Sequence, residues 1–268
     1  MAMNVRGLLL DVEGVLVADK RYQAVEGGVD FTRRARAAQL PLRLITNNTT
    51  DDKPAIIDKL ARAGFDFTID ELHTCTGAAL DYLRQRGALK ALVLGNDALL
   101  RLFADAGFEL AETSRVDAVV VGLDTGLTYE RLRLACEAIV HHNAAFIALH
   151  RNRLYPDAAG RISPSVGAIA AAIEFATQVD PIVTGKPSPQ YFQQALDDLG
   201  LTAADVLIVS DDPFTDLAGG KRIGLQTAFV LSGKYRDPSV LSTIPAPERP
   251  DVTVPRIGDL LSTNALDL

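Results

Sequence analysis

The chain alternates between short, unbroken apolar runs and longer stretches with apolar residues at helical spacing. Four of the runs end alike, on a polar group followed by a turn: Gly7-Leu-Leu-Leu-Asp11, Leu42-Arg-Leu-Ile-Thr46, Pro181-Ile-Val-Thr-Gly-Lys186 and Val206-Leu-Ile-Val-Ser-Asp211. An apolar run without alternation is how a strand covered on both faces reads, and parallel sheets flanked by helices are built from such strands. Ligands bind such sheets beyond the carboxyl ends of the strands, where these polar groups fall. The intervening stretches carry helix signals. One helix is predicted after Thr46-Asn47-Asn48, with Thr50 or Asp51 as its cap, Pro54 in its first turn and Gly64 at its stop. Another is predicted from Pro189, with Ser188 as N-cap, Gly200 just past the end, and Phe192, Leu196 and Leu199 on one face. Its N-terminus lies just beyond Lys186, where the helix dipole adds to the positive field.

Residues from about 78 to 180 have their own set of elements. Ala91-Leu-Val-Leu94, Ala118-Val-Val-Val121 and Ala145-Phe-Ile-Ala-Leu149 read as strands, with helical patterns around 97–107 and 129–142. None of these strands ends in the polar groups that mark the other four. The expected fold is therefore α/β: a Rossmann-like parallel-sheet core formed by residues 1–78 and 181–268, with an α/β cap, 79–180, inserted between its halves. Residues 245–250, Pro-Ala-Pro-Glu-Arg-Pro, read as a surface turn.

At 268 residues the chain suits one large domain or two modest ones, and 48% hydrophobic against 23% charged residues is enough for a packed core. A net charge of −7 argues against nucleic acid as a partner, because sequence-independent binding needs a basic face. An anionic substrate must be drawn in locally, by Lys186 and a metal, rather than by the field of the whole molecule. The N-terminal apolar stretch is interrupted by Asp11 before it is long enough for a signal peptide, and no run approaches the ~20 apolar residues of a membrane span. Cys75 and Cys136 have neither metal spacing nor a disulfide framework, which fits a cytoplasmic protein.

The order of the strand-end groups is a carboxylate, a hydroxyl with two amides, a lysine and an acid cluster. Together they suit a phosphoryl group and Mg²⁺. Asp11 can attack phosphorus; Thr46, Asn47 and Asn48 can bind phosphate oxygens; Lys186 can neutralise charge; and the acids can hold a hard cation through oxygen.

With those four motifs in that order, the chain resembles the haloacid dehalogenase superfamily, and the resemblance covers almost its whole length. Thr46-Asn-Asn48, Gly185-Lys-Pro-Ser-Pro189 and Thr215-Asp-Leu-Ala-Gly-Gly220 resemble its NagD-like branch, which carries an α/β cap between the second and third motifs. Ile147 to Tyr155 and Ile182 to Pro189 are most similar to the phospholysine phosphohistidine inorganic pyrophosphate phosphatase group. The resemblance implies a Mg²⁺-dependent phosphatase for a small phosphorylated substrate, with an aspartyl-phosphate formed on Asp11 and a homodimer made through the cap. It places Mg²⁺ on Asp11, the backbone carbonyl of Glu13 and Asp211. Asp216 acts through water or holds Lys186. Ser210 replaces the usual glycine, and Asp212 stands where relatives often carry a non-acidic residue, so a solvated role is expected for it. In the cap, His150, Asn152, Arg153 and Tyr155 follow a strand, and a residue matching Tyr155 contacts substrate in relatives. His150 and Tyr155 are therefore expected to bind substrate, against the plainer reading of a surface loop. His141 and His142 close a helical pattern and are expected to be capping or solvated.

Glu13 is the largest departure. The resemblance implies Asp there in most phosphatases of the superfamily, as the general acid and base, and often Ser in the subgroup this chain is most similar to. Glu keeps the chemistry but adds a methylene, and a misplacement of about 1 Å can cost ~10²-fold in rate. Glu13 also motivates a competing reading, a protein that binds a phosphorylated ligand without efficient turnover. A receiver-type phosphoacceptor, a third reading, is opposed by the long insert and by the late position of the acid cluster. Dehalogenation is opposed by the full acid cluster.

Overall fold

The computed structural model describes residues 4–18, 21–156, 161–263 and 266. The chain divides into two compact units. One comprises Met1–Thr46, Lys53–His73 and Pro189–Leu268, and the other Asn47–Asp52 and Thr74–Ser188. The segment expected as a cap, 79–180, lies inside the second unit. Asn47, Asn48 and Lys186, expected with the core, group with that second unit as well.

The first unit is built on a six-stranded sheet in the order Val252–Val254, Gln226–Val230, Val206–Ser210, Gly7–Asp11, Leu42–Thr46, Leu72–Thr74. Pairing is parallel from Val252–Val254 across to Leu42–Thr46. Leu8, Leu10, Leu42, Leu44, Leu207, Val209, Ala228 and Val230 share one core with Phe31, Ala35, Leu60 and Ile257. The alternate residues Leu9, Ile45, Ile208 and Phe229 are equally buried. A sheet covered on both faces is what the unbroken apolar runs encode.

The helix predicted from Pro189 spans Pro189–Leu199 and buries Tyr191, Phe192, Ala195 and Leu196. Gly200 follows at φ +65, the left-handed stop that glycine accepts without a Cβ penalty. The helix predicted after Thr46 starts later than its expected caps, at Lys53–Arg62. Thr50 and Asp51 instead donate their N–H groups to the side chain of Asn48, which forms a turn ahead of the helix.

The second unit holds a five-stranded sheet in the order Ile182–Val183, Ala145–Ala148, Ala118–Val121, Lys90–Leu94, Glu109–Leu110, all parallel. Alternate residues along it feed two separate cores, one with Val93, Val120 and Ile147, the other with Leu92, Val119 and Phe146. A small antiparallel hairpin pairs Leu154–Pro156 with Ile162–Pro164, setting Tyr155 opposite Ser163. The helix Val166–Thr177 was not among the predicted elements. Its run of alanines and isoleucines has little polar contrast, although Val166, Gly167, Ala170 and Ile173 mark a buried stripe. Among the described residues no helix is long and apolar enough to cross a membrane.

Candidate functional site

In the first unit the sheet register sets the chemistry. Leu10 pairs with Val209, so Asp11 and Asp211 emerge from neighbouring strands at the same edge. Asp11 Oδ1 accepts the Val12 N–H at 2.8 Å. The Ser210 hydroxyl lies 2.8 Å from Asp216 Oδ2, to which it donates, and 3.4 Å from Asp11 Oδ2, while its oxygen accepts the Asp212 N–H at 3.1 Å. Ser210 therefore ties the acid cluster together, a use that its side chain adds to a position expected to be glycine.

Asp211 is the most constrained carboxylate. Burial and the nearby charge of Asp11, with smaller contributions from Asp216 and Asp212, push its pKa up to about 8, against the lowering effect of the Lys234 N–H. That N–H donates to Asp211 Oδ2 at 2.5 Å. The same oxygen sits between two glycines. A Cβ on Gly14, whose φ is +84, would lie 2.0 Å from it, and a Cβ on Gly233 would lie 1.9 Å from it. Neither position has room for a side chain, so backbone packing fixes the Asp211 carboxylate. Gly233→Ala should displace that carboxylate and cost on the order of 10²-fold in turnover. Phosphate release by a folded Gly233→Ala protein at the wild-type rate would show that the position of Asp211 is not critical.

Asp212 is 4% exposed rather than solvated. Its Oδ1 accepts the N–H groups of Phe214 and Thr215, and its Oδ2 receives Lys234 Nζ at 2.8 Å. These bonds cap the π-helical turn Pro213–Leu217, which carries Asp216. Lys234 Nζ keeps its charge: burial opposes it, but Asp212 outweighs burial and raises its pKa.

Thr46 ends the next strand. Its hydroxyl donates to Glu13 Oε2 at 3.2 Å, so the expected phosphate-binding hydroxyl and the expected acid and base meet in this structure. The Thr46 N–H donates to the Tyr191 hydroxyl at 3.1 Å, and that hydroxyl donates to the His73 carbonyl at 2.7 Å. Tyr191 thus ties the strand end at Thr46 and the middle of the strand Leu72–Thr74, at His73, to the helix Pro189–Leu199.

In the second unit, Asn47 recognises the Lys186 peptide from both sides. Its Oδ1 accepts the Lys186 N–H at 2.9 Å and its Nδ2 donates to the Lys186 carbonyl at 3.1 Å. Gly185 makes this approach possible, since a Cβ there would fall 2.5 Å from Asn47 Oδ1. Lys186 itself is 2% exposed. Asn48 Oδ1 takes the N–H groups of Thr50 and Asp51, which shapes the turn rather than leaving that oxygen for a ligand. His150 is buried and its Nδ1 accepts the Asn152 N–H at 3.2 Å. The Asn152 carbonyl accepts the Gly167 N–H at 2.9 Å, and a Cβ on Gly167 would strike the Arg151 carbonyl at 2.4 Å. The loop before Tyr155 is therefore held on the helix Val166–Thr177, and Tyr155 is half-buried.

The residues expected from the sequence thus divide. Asp11, Glu13, Thr46, Asp211 and Asp216 lie in the first unit; Asn47, Asn48, Lys186, His150 and Tyr155 lie in the second. Lys234 and Gly233 were not anticipated. A signal for them exists: Thr227-Ala-Phe-Val-Leu231 is a fifth apolar run that ends on polar residues, Ser232-Gly233-Lys234.

The donor set of the first unit fits a hard cation. Every group is oxygen, and Asp211, pushed up to about 8 by burial first and by the charge of Asp11 second, is a carboxylate whose charged form a cation would favour. Among the described residues no three His, Cys, Asp or Glu side chains form a closed metal cage. Mg²⁺ needs none, because it keeps several waters and takes one or two carboxylates plus substrate oxygens.

Comparison with known proteins gives a consistent result. The family model for haloacid dehalogenase-like hydrolases matches residues 8–109, and a HAD-hydrolase-like model matches residues 183–260. The phospholysine phosphohistidine inorganic pyrophosphate phosphatase of Xenopus laevis is 32% identical over 88% of this chain and 86% of its own. Ribonucleotide monophosphatase NagD of Escherichia coli K12 is also 32% identical, over 96% of this chain and 99% of its own, so identity does not favour one of these relatives over the other. Among solved structures, the p-nitrophenyl phosphatase of Archaeoglobus fulgidus superposes with a TM-score of 0.85 at 27% identity, covering 97% of this chain and 99% of that one. With both family models and two sets of named phosphatases matching along its length, the chain belongs to the haloacid dehalogenase superfamily, in its NagD-like branch, and is a hydrolase of the phosphatase type.

Proposed function

We propose that the protein is a Mg²⁺-dependent phosphatase that hydrolyses a small phosphorylated molecule through an aspartyl-phosphate on Asp11. The observation that carries this reading is the placing of Asp11 beside Asp211, two buried carboxylates at one sheet edge with the second pushed up to about 8. An Asp11 oxygen attacks phosphorus, and the bond to the leaving oxygen breaks with its electron pair going to that oxygen. Glu13 gives the leaving oxygen its proton. Glu13, now ionised, then takes a proton from water as that water attacks the aspartyl-phosphate, which restores Asp11 and releases phosphate. Thr46 turns its hydroxyl from Glu13 to a phosphoryl oxygen, and the resemblance gives Lys186 the neutralisation of phosphoryl charge. Asp11, Asp211 and the carbonyl of residue 13 would hold Mg²⁺, with Asp216 acting through water, and the ion would supply positive charge to the phosphoryl oxygens.

The cap residues His150 and Tyr155 contribute binding energy only to substrates large enough to reach them, so selectivity among substrates is assigned to the cap. Phosphoramidates, pyrophosphate and aryl phosphates suit this chain best, because their leaving groups need least help from an acid displaced by one methylene. The test is a panel of phosphorylated metabolites, phospho-amino acids, pyrophosphate and p-nitrophenyl phosphate, run with Mg²⁺ and with a chelator. Phosphate release that disappears on chelation and returns with Mg²⁺ is expected. Tight binding without release from any substrate would make the protein a binder of phosphorylated ligands instead.

A further inference from the structure

Lys234 lies outside the four motifs, and the reaction proposed above gives it no part. Yet Ser232, Gly233 and Lys234 touch three different parts of the first unit's site in succession. The Ser232 hydroxyl donates to the Gly14 carbonyl at 2.6 Å, holding the loop that follows Asp11. Gly233 lies against Asp211 Oδ2 and the Gly14 Cα with no space for a side chain. The Lys234 N–H donates to Asp211 Oδ2 at 2.5 Å. The far end of Lys234 returns to the next residue in the chain after Asp211: its Nζ lies 2.8 Å from Asp212 Oδ2 and 5.2 Å from the centre of the Tyr235 ring. Tyr235 in turn meets Phe214 edge-on, 5.1 Å between ring centres.

We propose that Lys234 is a positioning residue for the metal. Its ammonium, fastened to Asp212, closes the segment 232–234 over Asp211 and holds that carboxylate in the orientation that binds Mg²⁺. The inference rests on the Mg²⁺ reading above and adds a residue to it. An ordinary surface ion pair would be worth too little for this task. Here the Asp212 side chain is only 6% exposed, and its other oxygen is already committed to the turn that carries Asp216. Without Lys234 a buried carboxylate would lose its cationic partner beside Asp211 and Asp216, and the segment donating to Asp211 would lose its anchor. Groups that orient metal ligands in this way commonly account for roughly 10-fold to 100-fold in metal affinity.

The sign of the effect separates a fastener from a mere positive charge. A lysine acting only through its charge repels Mg²⁺, so its removal tightens binding. A lysine that positions Asp211 strengthens binding, so its removal weakens it. The experiment is calorimetric titration of the full-length, metal-free protein with MgCl₂, beside the Mg²⁺ dependence of p-nitrophenyl phosphate hydrolysis. Lys234→Met should weaken Mg²⁺ binding about 10-fold or more in both measurements, and raising Mg²⁺ should recover most of the turnover it loses. Lys234→Arg should restore affinity. The double variant Asp212→Asn with Lys234→Met, which leaves net charge unchanged, should also bind weakly, and it carries the test if the single variant does not fold. Affinity equal to or tighter than wild type in Lys234→Met, or wild-type affinity in the double variant, would overturn the assignment. A wild-type protein that takes up no Mg²⁺ would overturn the metal reading itself, and the two failures are thereby distinguished.

Discussion

Asp11→Asn should lose phosphatase activity by a factor on the order of 10⁴ or more, as removal of a covalent nucleophile does elsewhere. It should do so without losing stability. The asparagine oxygen can keep the Val12 N–H bond that Asp11 Oδ1 now accepts. The substitution also removes the largest charge acting against ionised Asp211. The pH dependence of the metal-free protein makes this measurable. The pKa of Asp211 lies above its ordinary value of 3.8, at about 8, so between those values the native state binds more protons than the unfolded chain. Stability therefore falls as pH rises through that window, being fully present below about 4 and reduced above about 8. In Asp11→Asn the fall should be shallower, and at pH 7 the metal-free variant should melt at a higher temperature than wild type. A functional group that costs the folded state stability is the expected trade at a site built to bind a cation. Retained turnover in Asp11→Asn would remove Asp11 from the nucleophile role. A variant both inactive and less stable, with the wild-type pH slope, would show instead that Asp11 chiefly supports the fold.

The main features of this fold could be read from the chain because parallel strands covered on both faces leave long apolar runs, and three of the four runs end on their functional group; the fourth is only the strand Ile182–Val183, which stops short of Lys186 and pairs in the second unit's sheet. The strands Gly7–Asp11, Leu42–Thr46 and Val206–Ser210 end within a residue of Asp11, Thr46 and Asp211. What escaped the sequence depends on contacts across the chain. Asp212 reads as one more acid in a cluster until Lys234, 22 residues later, is found on its oxygen. Ser210 reads as a tolerated substitution until its hydroxyl is placed between Asp11 and Asp216. Tyr191 reads as a core aromatic, which it is, but its hydroxyl also fixes the backbone of Thr46, 145 residues away. Side chains whose apolar body and polar tip do separate work are hard to assign from spacing alone, because periodicity reports only the body. The start of the helix Lys53–Arg62 was misjudged for a related reason. Thr50 and Asp51 are good capping residues, but Asn48 competes for the same backbone N–H groups and forms a turn first.

Glu13 should divide substrates by leaving group. Its carboxylate accepts the Thr46 hydroxyl at 3.2 Å, so the longer side chain is drawn toward the group expected to bind phosphate. When Thr46 turns to a phosphoryl oxygen, Glu13 is released to serve the leaving group, with a side chain one methylene longer than the Asp that the superfamily resemblance implies. Glu13→Ala should therefore cut turnover of alkyl phosphates by ~10²-fold to 10⁴-fold, the usual contribution of a positioned acid and base. The loss on p-nitrophenyl phosphate should be much smaller, because that leaving group departs with little need of a proton. Glu13→Asp should retain or raise activity on alkyl phosphates, since it draws the carboxyl back from Thr46 and restores the reach common in the superfamily. Steady-state kcat/KM on one alkyl and one aryl phosphate, measured for the three proteins at saturating Mg²⁺, decides the matter. Equal losses on both substrates would mean that Glu13 braces the loop whose carbonyl is assigned to Mg²⁺. No loss on either would leave the enzyme without an acid and base at this position, and would restrict it to substrates whose leaving groups need none.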